Sequence, residues 1–149
     1  MFSLKRFFLL ALIVFLLSSI QRWAGFSLPF SQLDLVVVFV LVALFFLSNP
    51  TEYLALAGFS VLLLQESSGF DRISAILLVL FVLAFFAKRS LLDRSLLSVA
   101  ALILCFTLLS IFLLSPDQFF SFSLALRVIY NELVGLLFFV LLRKFENNL

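Results

Sequence analysis

The sequence predicts an all-α integral membrane protein, a compact bundle of about six transmembrane helices, and three observations predict it. Of 149 residues, 65% are hydrophobic and only 12% charged, where a soluble domain has about a quarter of its residues charged. The apolar residues fall into long runs separated by short stretches rich in Ser, Gly, Pro and charge, as spans joined by tight loops require. The basic residues gather beside alternate loops, which is how short cytoplasmic segments are marked. Loops this short leave no separate soluble unit, so 1–149 reads as a single transmembrane domain.

The predicted spans are 7–24, 33–48, 51–66, 72–87, 95–114 and 124–142. The first follows Lys5 and Arg6 and imitates a signal peptide. Ser18, Ser19 and Ile20 nevertheless lead into Gln21 and Arg22 without a small-x-small cleavage site, so an uncleaved helix anchored near Trp23 is expected. Gly25 and Pro29 lie in the stretch that should break it. The second span opens beside Asp34 and stops at Ser48, Asn49 and Pro50. Asn49 is placed to cap the third span, Pro50 suits its first turn, and Glu52 sits at its positive end. That third span is short. It contains Gly58, a candidate for close helix contact, and if it is re-entrant the count falls to five. The fourth span stops at Lys88 and Arg89. The fifth carries Cys105, expected as a small buried hydrophobe, and Phe119, Phe120 and Phe122 form an interfacial turn before the sixth.

Charge placement tests the count. With six spans and both termini cytoplasmic, Lys5, Arg6, Lys88, Arg89, Arg94, Arg143 and Lys144 face the cytoplasm and only Arg22 and Arg72 face outward. Removing one span would move Arg143 and Lys144 to the wrong side. Lys88, Arg89 and Arg94 form a cytoplasmic basic cluster, suited to topology, to anionic head groups or to a partner.

Histidine is absent and Cys105 is the single cysteine. Internal disulfides, histidine or thiolate metal cages and histidine-based catalysis are therefore excluded, and no cofactor, metal or nucleic-acid motif appears. An enzyme is not expected. The candidate site is the last span, which alone carries ionisable groups of both signs. Such groups face other helices or a watery cavity, because exposure to hydrocarbon is costly. Arg127, Asn131 and Gly135 recur every four residues and share a face, whereas Glu132 points about 140° from Arg127. Asp34 and Arg127 lie at similar depth near the outer edge and are expected to pair, the alternative being an Asp34 helix cap with a snorkelling Arg127. Glu132 lies near mid-span and is a candidate partner contact.

The order of features resembles the rod-shape-determining protein MreD family, small bacterial inner-membrane proteins. The resemblance rests on Leu33, Asp34, Leu35, Val36 and Val37 opening the second span. It rests also on Gly58 through Gln65, Glu66, Ser68 and Gly69 as a hairpin, and on Tyr130, Asn131 and Glu132 before a basic end at Arg143 and Lys144. Gln65 stands where that family usually has aspartate, and Gln32 where it has proline before Asp34. The resemblance implies a non-enzymatic scaffold of the cell-elongation machinery in the bacterial cytoplasmic membrane. The implied partners are membrane lipid, MreC and, through it, the actin-like MreB filament and peptidoglycan synthases, with no small-molecule substrate. The chain is also similar in size and span number to the substrate-binding S component of energy-coupling-factor (ECF) vitamin transporters, whose fold this resemblance would share. The Leu, Phe and Ile of its first helix depart from the small-xxx-small pattern such subunits use.

Overall fold

A computed structural model describes residues 4–27, 34–64, 72–91 and 93–147. The described residues form six α-helices: α1 Leu4–Ser27, α2 Leu35–Ala43, α3 Pro50–Leu64, α4 Arg72–Leu91, α5 Leu96–Leu114 and α6 Phe122–Asn147, with a 3₁₀ turn over Pro116–Gln118 before the last. No strand occurs among them. Four helices, α1, α4, α5 and α6, are long and apolar enough to cross a membrane, and α3 is a shorter apolar helix. The protein is a helical membrane bundle.

Helix α2 is its centre. Every residue from 36 to 47 is buried, so this apolar stretch has no polar face, as expected of a helix enclosed on all sides. It packs against α1, α3, α5 and α6, while α4 lies between α3 and α5. Aromatic rings fill the seams: Phe39 meets Phe138 edge-on at 5.3 Å and Phe46 meets Phe139 at 5.4 Å, both between α2 and α6. Phe81 meets Phe106 at 5.3 Å between α4 and α5, and Tyr53 stacks on Phe85 at 6.0 Å between α3 and α4.

Helix direction alternates along the chain. The ends of α1, α3 and α5 and the starts of α2, α4 and α6 meet around one cavity, at Gln21, Leu64, Leu114, Asp34, Ile73 and Arg127. At the opposite end Glu146 of α6 bonds both Arg6 at the start of α1 and Arg94 just before α5. Helix α3 thus runs from one end of the bundle to the other, and the start of α1 lies at the same end as the end of α6.

Several boundaries differ from those expected. The second span is not one helix over 33–48: α2 ends at Ala43, and the chain tightens through i to i+3 bonds from Phe45 to Val42 and from Phe46 to Ala43. Gly25 does not break α1, which continues to Ser27, because one glycine costs a helix only about 1 kcal/mol. Helix α4 runs past Lys88 and Arg89 to Leu91, and α6 past Arg143 and Lys144 to Asn147. Charge ends a membrane span but not a helix. Cys105 is exposed rather than buried, since α5 turns inward the face that carries Ser98, Leu102, Phe106, Thr107 and Ser110. Gly58 makes no close helix contact, as a methyl group there would meet nothing within 4 Å. Asn49 does cap α3, its Oδ1 accepting from the Thr51 amide at 3.0 Å and hydroxyl at 2.7 Å, with Pro50 in the first turn and Glu52 buried beside it.

Candidate functional site: a polar cluster at the start of the central helix

Helix α6 places Arg127, Asn131, Gly135 and Phe139 on one stripe, and that stripe faces the centre. Asn131, Gly135 and Phe139 are buried. Gly135 packs tightly: an added Cβ would lie 2.1 Å from Ile103 Cδ1 and 3.2 Å from Val38 Cγ1, so a larger residue would have to displace the end of the Ile103 side chain between α6 and α5.

One turn up, Asn131 joins three helices. Its Oδ1 accepts from the Asp34 amide at 3.2 Å, and its Nδ2 donates to Thr107 Oγ1 of α5 at 3.3 Å. Another turn up, Arg127 donates from Nε at 2.8 Å and from Nη2 at 2.6 Å to Asp34 Oδ2. The pair is largely enclosed, with side chains 24% and 20% exposed. Asp34 makes no side-chain cap to its own helix. Of the two alternatives for these residues, the interhelical ion pair is the one formed.

The start of α2 is capped from outside. An α-helix leaves its first amides without internal partners, and here Gln21 Oε1 of α1 accepts from the Val36 amide at 3.2 Å while Asn131 takes the Asp34 amide. The Asp34 carboxylate sits at the positive end of the same helix, where the helix dipole favours it. At the matching end of α3, Arg22 Nη2 donates to the Leu63 carbonyl, which occupies one of the carbonyls a helix leaves free at its C-terminus.

These groups border a cavity of about 180 Å³ whose polar lining is Gln21, Asp34, Thr107, Ser110, Arg127 and Asn131. Val37, Val38, Leu41 and Phe106 form part of its apolar wall. Thr107 and Ser110 are buried, and Ser110 Oγ donates to the Thr107 carbonyl at 2.9 Å. Gln21, Thr107 and Ser110 were not singled out in the sequence. The available signal was the two hydroxyls inside the oily α5 and a glutamine at the end of α1.

The other candidates lie elsewhere. Glu132 does not line the cavity; it is half-buried, and its Oε1 has no hydrogen-bond partner among the described residues. Lys88 and Arg89 occupy the last turn of α4, with Arg89 exposed. Arg94 bonds Glu146 and covers the Phe46 ring, contacts that close the bundle end. The hairpin residues Gln65, Glu66, Ser68 and Gly69 lie outside the described residues. Just before α5, Asp93 Oδ1 accepts from Ser95 Oγ at 2.8 Å and from Ser98 Oγ. Those hydrogen bonds, Ser98 first, hold its carboxyl below the ordinary value. Among the described residues no three of His, Cys, Asp and Glu gather as a metal site would require. Comparison with protein-family models, with curated proteins and with solved structures finds no match to this chain.

Proposed function

We propose that this protein is a non-enzymatic scaffold of the bacterial cytoplasmic membrane, acting in cell elongation in the manner of the MreD family it resembles. The observation that carries this is the mutual engagement of Asp34, Arg127 and Asn131. The polar groups inside the bundle bond one another and pin α2, leaving a braced body whose outer faces are apolar. Leu12, Leu16 and Ile20 on α1 and Ile129, Leu133 and Leu137 on α6 are exposed, and such faces meet lipid or the transmembrane helix of a partner. Glu132 is half-buried on α6, its Oε1 enclosed without a hydrogen-bond partner among the described residues. The exposed part of its side chain is the polar group on which an MreC-like partner helix would register, since intramembrane carboxylates seek hydrogen-bonding neighbours. Both termini are cytoplasmic in this proposal, following the basic bias.

Co-purification of the full chain with an MreC-like protein encoded beside it tests the proposal. Association is expected, and Glu132→Leu should weaken it while leaving the isolated bundle folded. Depletion should widen cells and slow peptidoglycan insertion; unchanged width and insertion would end the proposal. The alternative, an S component, needs room for a vitamin. The cavity of about 180 Å³ is smaller than the roughly 300–1,000 Å³ of ordinary ligand pockets, which favours the scaffold.

A further inference from the structure

We propose that the groove between the first half of α1 and α3 holds one acyl chain of an anionic phospholipid, whose headgroup is met by Lys5. The groove measures about 330 Å³ and is lined by Phe7, Phe8, Ala11, Leu12 and Phe15 of α1 and by Phe59 of α3. Every lining side chain is apolar. Phe8, Leu12 and Phe15 are 63%, 56% and 50% exposed, so the groove opens onto the outside of the bundle, where the surrounding medium is hydrocarbon. The inference rests on the membrane bundle alone and not on the scaffold proposed above.

Shape selects a chain over a helix. At a rise of 1.5 Å per residue, Phe7 to Phe15 covers about 12 Å, so the groove has a cross-section of roughly 28 Å². A helix about 10 Å across needs roughly 80 Å², whereas an unbranched chain, its width set by carbon contacts of about 4 Å, fits. Depth agrees with shape. Lys5 to Phe15 spans about 15 Å, half of the roughly 30 Å hydrocarbon core, which is the share of a lipid in one leaflet. Charge then selects the headgroup. Lys5, Phe8 and Leu12 are spaced by three and four and share a side of α1, so the ammonium stands at the head of the groove. Lys5 is exposed and makes no ion pair among the described residues. Its neighbour Arg6 is taken by Glu146, which also bonds Arg94. One carboxylate between two guanidiniums leaves this end of the bundle positive, so a headgroup of net negative charge is favoured over one that brings its own ammonium.

The test is native mass spectrometry of the full chain in detergent, titrated with phosphatidylglycerol or phosphatidylethanolamine of the same palmitoyl-oleoyl chains. One phosphatidylglycerol per chain is expected to be retained, half-saturating at a concentration at least tenfold lower than phosphatidylethanolamine. Lys5→Gln should weaken phosphatidylglycerol at least fivefold and phosphatidylethanolamine less. Phe8→Ala, at an exposed position, should weaken both lipids at least threefold, and an unchanged melting temperature shows that each variant is folded. Lys144→Gln is the control: Lys144 is exposed on α6 two residues from Glu146, and so on the opposite side of that helix, and its loss should leave retention unchanged. Four results would overturn the proposal: no retained lipid, equal affinity for the two lipids, an effect of Lys144→Gln as large as that of Lys5→Gln, or lipid-free dimers, which would give the groove to a second copy of the chain. Retention is measured on the isolated protein, so its failure leaves association with an MreC-like partner untouched, and the reverse also holds.

Discussion

Arg94 holds its guanidinium 4.3 Å above the ring of Phe46 while also bonding Glu146 at the end of α6. Phe46 lies just past the end of α2, so the central helix is fastened by an arginine at each end, Arg127 on Asp34 at its start and Arg94 on Phe46 at its finish. The two fastenings differ in strength. Arg94 is 43% exposed on its side chain, where a cation over a ring contributes about 0.5–1 kcal/mol and an exposed ion pair about as little. Arg94→Gln should therefore lower unfolding stability in detergent by roughly 1 kcal/mol. Its ion-pair share should vanish in 1 M salt, where the Debye length is about 3 Å. Urea titration at low and high salt measures both.

The opposite end is less forgiving. Asp34→Ala leaves Arg127 enclosed without its carboxylate, and Arg127→Ala does the converse. Breaking a fully buried pair costs about 3–5 kcal/mol, and the partial exposure here lowers the expected loss to about 2–3 kcal/mol. Asp34→Arg combined with Arg127→Asp should recover part of the loss but not all. The exchanged arginine would face the positive end of α2, which the native carboxylate complements. Thermal unfolding of the two single variants and the exchange variant measures this; an exchange no better than the singles would show that the pair contributes little.

Gly135 and Ile103 form a matched contact. Gly135→Ala puts a Cβ against Ile103 Cδ1, with Val38 the next neighbour at 3.2 Å, and overpacking of this kind costs about 1–3 kcal/mol. Ile103→Val removes that Cδ1. The double variant is expected to be more stable than Gly135→Ala alone, giving a coupling of roughly 1 kcal/mol in a double-mutant cycle. Additivity of the two changes would contradict the contact.

Asp93 gives the pH dependence its sign. Its carboxyl is held below the ordinary value by the hydroxyls of Ser98 and Ser95, so the charged form is bonded more strongly in the folded protein than in the unfolded one. The stabilisation it brings is present above the unfolded value near 3.8 and is lost as pH falls through the lower folded value. Amides in the first turn of α5 should lose protection, relative to their intrinsic exchange rate at each pH, below about pH 4. Ser98→Ala should move the Asp93 titration, followed by NMR, upward toward its ordinary position. Ser95 additionally caps the helix, its side chain accepting from the Ser98 amide, so Ser95→Ala should cost about 1 kcal/mol at neutral pH.

Much of this protein is determined by its sequence alone. A helical membrane bundle follows from the length and spacing of its apolar runs, because a bilayer admits only segments that satisfy their own backbone hydrogen bonds. The Asn49 cap and the shared face of Arg127, Asn131 and Gly135 follow from local chemistry and from a period of 3.6. What only the tertiary structure decided is which faces turn inward. In a helix as uniformly apolar as α2 no polar side exists to mark the outside, and in α5 the hydroxyls of Ser98, Thr107 and Ser110 turn inward, so the central place of α2, the exposure of Cys105 and the open space at Gly58 emerge from packing. The partners of the polar groups are likewise set by long-range contact. Gln21, Thr107 and Asn131 lie far apart in the chain, and they converge at the start of α2 because a helix start with free amides, buried in a bundle, must find its acceptors on neighbouring helices.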